Sequence, residues 1–306
     1  MDDPDRTASL MTPSKLAQIK PRSAASPAAW LNQMAADAGH LHVRRLRELR
    51  SELQAQARLR DVSPVISELA LLAEALPRLD FGLLQRRGWW ARTTGKSRSA
   101  GADFAAQFDH IDQVARGLAA QTQALQKGRQ EPATVTALTL VEVEVEYKAI
   151  DKIIDQGARW LHDMRTQLKA RQAAGAEMAD PEQLRADDAR CDILVGRLKV
   201  LRAVSSAAQQ SHQHAQGAIA RRAALLRLLQ HALASGAKAW QARLSALAAA
   251  AGEASSPALS VEAPMEAHRE LQLCVKQAIA DCGQLQGQEK ALAESLAVLG
   301  MQLEAA

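Results

Sequence analysis

A chain of 306 residues with 38 basic and 34 acidic side chains has a formal net charge of only +4, too small to mark it for nucleic acid or for a membrane surface. Ala and Leu dominate its 47% apolar residues, aromatics make up 3%, and there are one tyrosine, three phenylalanines and ten prolines. That composition favours helices and leaves too little Val, Ile, Thr and aromatic material for a sheet of any size, so the prediction is an all-α protein.

With seams built from Ala and Leu, the expected architecture is an elongated bundle of long antiparallel coiled-coil-like helices. The opening stretch MDDPDRTASLMTPSKL is acidic and broken by prolines, unlike a secretory signal. No apolar run nears the roughly 20 residues needed to span a bilayer. Three cysteines, Cys191, Cys274 and Cys282, form no CxxC pair and suit a reducing compartment as small hydrophobes. The expected location is therefore cytoplasmic, with the inner face of the membrane as a possible place of peripheral contact.

Residues 1–27, rich in Pro, Ser, Thr and Ala, read as a disordered N-terminal tail, and residues 28–306 as a single elongated helical domain. A basic helix, HLHVRRLRELRSELQAQARLR, carries Leu46, Leu49 and Leu53 at helical spacing, and another runs from Pro64 to Leu76 and stops at Pro77. A connector through Gly88 follows. The next helix, about 103–128, has Asp103 placed to cap it and Phe104, Phe108, Ile111, Ala115, Leu118, Thr122 and Leu125 alternating four and three residues apart.

The segment Leu140–Tyr147, LVEVEVEY, alternates apolar and acidic residues as a half-exposed strand would. Taken further, Val143, Tyr147, Ile150, Ile154, Gly157, Leu161, Met164 and Leu168 form an unbroken heptad seam, which predicts a helix over 135–172. The longest run, 181–250, places Cys191, Leu194, Leu198, Leu201, Ser205, Ala208, His212, Ala215 and Ile219 on one seam. Gly217 could shift its register, leaving one long helix or two in line. A last helix, 263–304, follows a Gly, Ser and Pro linker.

Candidate chemistry is thin. His212 and His214 stand two residues apart, about 200° around a helix, which does not suit a shared metal, so His212 reads as a polar seam residue that sets register. Glu142, Glu144 and Glu146 also alternate faces and read as a solvated acidic surface. The arginine groups Arg44, Arg45, Arg47 and Arg50, and Arg221, Arg222 and Arg227, read as solvated faces for want of stacking aromatics. TTGKS has only the end of a phosphate-binding loop, with Trp90 where the upstream glycine would stand. No catalytic residue, metal site or cofactor site is predicted, and no specific nucleic acid.

Three stretches together resemble one family. PRLDFGLLQRRGWWARTTGKSRSAGADFAAQFDHIDQVARGLAAQTQALQKGR looks like the basic, Gly- and aromatic-rich region and following helix of the TelA family of toxic anion resistance proteins. IDKIIDQGARWLHDMR is similar to that family's helix in which an Ile and a Gly precede a Leu-rich segment. LKVLRAVSSAAQQSHQHAQGAIARRAALLRLLQHALASGAKAWQARLSAL resembles its long terminal helix pair, with Trp240 followed by Gln241. The chain departs from the family by having Ala237, Lys238 and Ala239 before that Trp, as a divergent member would. The resemblance implies a bacterial, cytoplasmic, helical stress-resistance protein that tolerates tellurite, with no catalytic residue to carry over.

The connector supplies the candidate contact residues. Trp89 and Trp90 lie among Arg86, Arg87, Arg92, Lys96 and Arg98 with no acid until Asp103. Such a set packs between helices, or meets a protein partner or an anionic membrane surface. The expected function is non-enzymatic and works by protein–protein interaction, including self-association through a helical seam. The alternatives are a thiol-dependent protein that reduces or sequesters tellurite through Cys191, Cys274 or Cys282, and a peripheral membrane scaffold.

Overall fold

The computed structural model describes residues 38–58, 62–85, 96–127, 130–173, 180–252 and 260–306. Among them every regular element is helical and none is a strand, so the protein is all-α. In chain order the elements are α1 (His40–Arg58), α2 (Ser63–Ala75) with a 3₁₀ turn at Leu76–Arg78, α3 (Gly82–Gln85), α4 (Lys96–Lys127), α5 (Gln130–Ala173) and α6 (Pro181–Arg227). A π-helical turn, Leu228–Leu233, joins α6 to α7 (Ala234–Gly252), and α8 (Glu262–Glu304) ends the chain. The tail predicted over residues 1–27 lies outside the described residues.

The helices form two compact units. The first contains, of the described chain, 38–57, 135–216 and 290–306, and the second 62–134 and 217–289. α5, α6 and α8 therefore each contribute one stretch to each unit.

In the first unit α5 and α6 form an antiparallel pair whose contacts follow in strict order. Arg171 meets Asp187, Arg165 meets Asp192, Gly157 faces Leu198, Asp151 accepts a hydrogen bond from Ser205 at 2.6 Å, and Glu144 stands beside His212. Gly157 has a steric reason: a Cβ there would lie 2.8 Å from Leu198 Cδ2, so the bare backbone admits the leucine. Met164, Leu168, Cys191, Leu194 and Leu198 close one end of the pair as an apolar cluster.

α1 completes this unit by lying antiparallel to both α5 and α8. It sets His42 against Glu146 and Arg45 against Glu142 on one side, and directs Arg47 to the Leu303 carbonyl and Arg50 to the Leu296 carbonyl on the other. Its start is fixed by α6. Arg197 donates to the Ala38 carbonyl at 3.0 Å and to the Ala306 carbonyl at 2.6 Å, while Gly39 takes φ 73° against Leu201. A side chain at Gly39 would meet both a strained backbone and that leucine.

In the second unit α2 begins with Pro64 in its first turn and tightens into the 3₁₀ turn where Pro77 cannot donate a hydrogen bond. α4 packs against α2 and α7, burying Phe104, Phe108 and Ile111 with Leu69, Leu72, Trp240 and Leu244. The helix starts earlier than the capping pattern predicts, at Lys96, so Asp103 is an exposed interior residue and not the cap. Gly101, one turn before Phe104, is buried within this earlier stretch of helix. Gly217 does not interrupt α6; the irregularity comes eleven residues later, at the π turn.

Candidate interaction face

Of the predicted contact residues, Arg86, Arg87, Trp89, Trp90 and Arg92 lie outside the described residues. Lys96 and Arg98 belong to the first turn of α4, described there by backbone alone. The functional face that can be built from side chains lies elsewhere, on α5.

The acidic alternation of LVEVEVEY is settled by a helix whose seam is flanked on both sides. Val143, Tyr147, Ile150 and Ile154 are buried, and acids two residues apart fall on opposite flanks. On one flank Glu142 pairs with Arg45 and Glu146 bonds His42 Nδ1 at 2.6 Å, both towards α1. On the other, Glu144 pairs with Lys148 at 2.5 Å and lies 3.9 Å from His212 Nε2, towards α6. The Lys148 ammonium holds the Glu144 carboxyl below its usual range, and burial pushes the His212 imidazole down. The expected solvated acidic surface is thus corrected: all three acids bind partners on neighbouring elements or one turn along. His212 sits on the seam as predicted, its ring edge-on to Tyr147 at 5.9 Å and beneath the helix surface.

Of the arginines predicted to face solvent, Arg44, Arg221 and Arg227 are exposed as expected, and the other four bond neighbouring elements. Arg45, Arg47 and Arg50 tie α1 to α5 and α8, and Arg222, only 5% exposed, pairs with Glu289 within the second unit. These cations already have partners, because a guanidinium satisfies a helix carbonyl or a carboxylate across a seam while its stem covers apolar surface.

One exposed side of α5 is apolar. Leu138, Val141 and Val145 follow one another three and four residues apart on the side of α5 opposite the buried seam, and are 60%, 59% and 58% exposed. Large apolar residues aligned on one exposed face mark an interaction surface, whereas single exposed leucines do not. Periodicity alone conceals this second stripe, because the strand-like alternation of residues 140–147 mixes its valines with those of the core. Val298 and Met301 expose a shorter apolar step on α8 in the same unit.

The cysteines are packed as thiols. Cys191 and Cys282 are buried, and burial raises both, Cys282 to about 11. Cys274 is half-buried at the edge of the second unit's core. An aromatic thiol reagent is expected to modify Cys274 first in the folded protein, and Cys191 and Cys282 only after denaturant is added. Mass spectrometry of the labelled peptides checks the order, and prompt labelling of Cys191 would refute it.

No described helix is long and apolar enough to cross a membrane. The class these features define is an all-α protein of long antiparallel helices with an apolar outer stripe on α5. No family model, curated protein or solved structure matches the chain.

Proposed function

We propose that the protein is a non-enzymatic helical protein of toxic anion resistance that acts by protein–protein interaction, using the outer face of α5. The stress-resistance part rests on the resemblance of the three stretches quoted above. The interaction part rests on one observation, the aligned and exposed Leu138, Val141 and Val145. The partner this face fits best is a second copy of itself. Glu142 and Glu144 flank the stripe before Val145, while Lys148 and exposed Lys152 follow it. Two copies laid antiparallel across Val145 would bring Glu142 of each, 51% exposed beside Arg45, towards Lys148 of the other, 60% exposed beside Glu144.

Burying what remains exposed of each such side chain contributes about 1–2 kcal/mol. Losses of translational and rotational freedom on the order of 4–15 kcal/mol offset most of that sum, so association is expected to be weak and concentration-dependent. The thiol reading is less well supported, because two of the three thiols are buried with their thiolates disfavoured.

Val141→Glu combined with Val145→Glu should leave the melting temperature within about 2 °C, since both side chains point away from the core, and should abolish association. Light scattering across a concentration series reads the second effect. In a host lacking the native protein, the double variant should also lose tellurite tolerance. A wild-type protein that stays monomeric throughout, with tolerance unaffected by the double variant, would refute the reading.

A further inference from the structure

The second unit contains a ligand-sized cleft beside a rare backbone feature. At Leu228–Leu233 the helix widens into a π turn, a rare arrangement found frequently at functional sites. Here the widened turn is held closed. The Ala234 N–H is shared between the Leu229 and His231 carbonyls, and the Ser235 hydroxyl donates to the His231 carbonyl at 2.5 Å.

The cleft opens directly against this turn. Its volume is about 450 Å³, inside the range of small-molecule sites. Leu72 of α2, Leu118 of α4, and Leu229 and Leu233 of the π turn make its apolar floor, all of them buried. Gln123 and Gln126 of α4 stand on one rim, with His231 and Lys238 on the other. No acid is among the described residues that line it. Lys238 is the one lysine or arginine among the described lining residues, and it is exposed five residues beyond Leu233.

We propose that this cleft binds a small single-chain amphiphile with one carboxylate head: an apolar body on the leucine floor and an anionic head held by Lys238, with the His231 imidazole and the glutamine amides as polar neighbours. An inorganic oxyanion would leave the leucine floor unused. A neutral alcohol would leave the lysine without a counter-charge. The site goes beyond the α5 face and depends on nothing in it, since the two lie in different units.

The test uses the full chain, titrated calorimetrically with octanoate, octan-1-ol and inorganic phosphate, and floated separately with phosphatidylglycerol vesicles. Octanoate should bind, octanol more weakly and phosphate not detectably. Lys238→Met should weaken octanoate about tenfold, the loss of one charge-assisted contact, while Lys238→Arg retains most of it. Ala119→Trp, at an exposed lining position, should fill the cleft and abolish binding with the melting temperature unchanged. The proposal is overturned if octanoate does not bind at millimolar concentration, if phosphate binds as well, if capture is seen on vesicles only, or if neither Lys238→Met nor Ala119→Trp alters octanoate binding in folded protein.

Discussion

Trp240→Ala is expected to destabilise the second unit by about 3–5 kcal/mol, the range for removing a large aromatic from a packed core. Trp240 is fully buried and joins three elements. Its ring stacks on Phe108 of α4 at 5.1 Å, and its Nε1–H donates to His268 Nδ1 of α8 at 3.2 Å. His268 in turn lies edge-on to Phe81 at 5.5 Å, which itself meets Phe104. Truncation leaves a cavity that cannot collapse from three sides at once, together with an imidazole nitrogen that has lost its donor. Trp240→Phe separates the two effects. It keeps a ring against Phe108 and removes only the donor, so about 1–3 kcal/mol should be lost. Urea unfolding followed by circular dichroism gives the totals. Hydrogen exchange should show protection lost first in α4 and α7. A loss below about 1 kcal/mol for Trp240→Ala would mean that the cluster does not hold the unit together.

That cluster also shows where sequence reading ends. The helices themselves were legible, because heptad seams such as Val143 to Leu168 are local: burial every three or four residues needs no knowledge of the partner. The conflict at LVEVEVEY was resolved by the same local logic once the seam was followed beyond Tyr147. Trp240 stood out in the sequence as the Trp followed by Gln241 in the third stretch of the resemblance. Its stacking on Phe108 and its bond to His268 were not legible, since these partners lie on separate helices and no short-range spacing relates them.

Other features were hidden for different physical reasons. A π turn has no residue signature comparable to proline or glycine, so the sequence marks Gly217 while the turn forms at Leu228–Leu233 within an ordinary Leu-rich run. The outer stripe of α5 was hidden because valine is equally suitable for a core and for a docking face, and only exposure distinguishes Val143 from Val141 and Val145. Part of the charge pattern was hidden for a related reason. Acids and arginines count as solvated in a linear sequence, yet a bundle brings Arg45 to Glu142 and Arg50 to the Leu296 carbonyl, where each acts as a tie between helices. Trp89 and Trp90 drew notice as adjacent aromatics, while Trp240, alone in its sequence neighbourhood, carries the core of the second unit.

Mild acid should weaken both units through one buried histidine in each. His268 and His212 are buried, and burial pushes both imidazoles below the ordinary value of 6.5. For His268 the hydrogen bond adds a geometric cause. Trp240 Nε1–H requires a lone pair on Nδ1, and protonation would set one N–H against another. Glu144 within 3.9 Å favours the charged form of His212, and a hydrogen bond with the Leu76 backbone does the same for His268, so each effect is smaller than burial alone would make it. In each case the unfolded chain takes up a proton at a pH where the folded chain does not. Stability is therefore full above pH 6.5 and falls as pH drops below it, by up to about 1.4 kcal/mol per unit for each group until the folded imidazole titrates. Urea midpoints measured from about pH 7.5 to 5 lie above the window in which most carboxylates titrate. They should decline over that interval in the wild type. His268→Gln keeps an acceptor for Trp240 and cannot be protonated, so its decline should be shallower even if its midpoint at pH 7.5 is lower. Equal slopes in the two proteins would show that the folded state accommodates a charged His268, and would require the Trp240 bond to break at little cost.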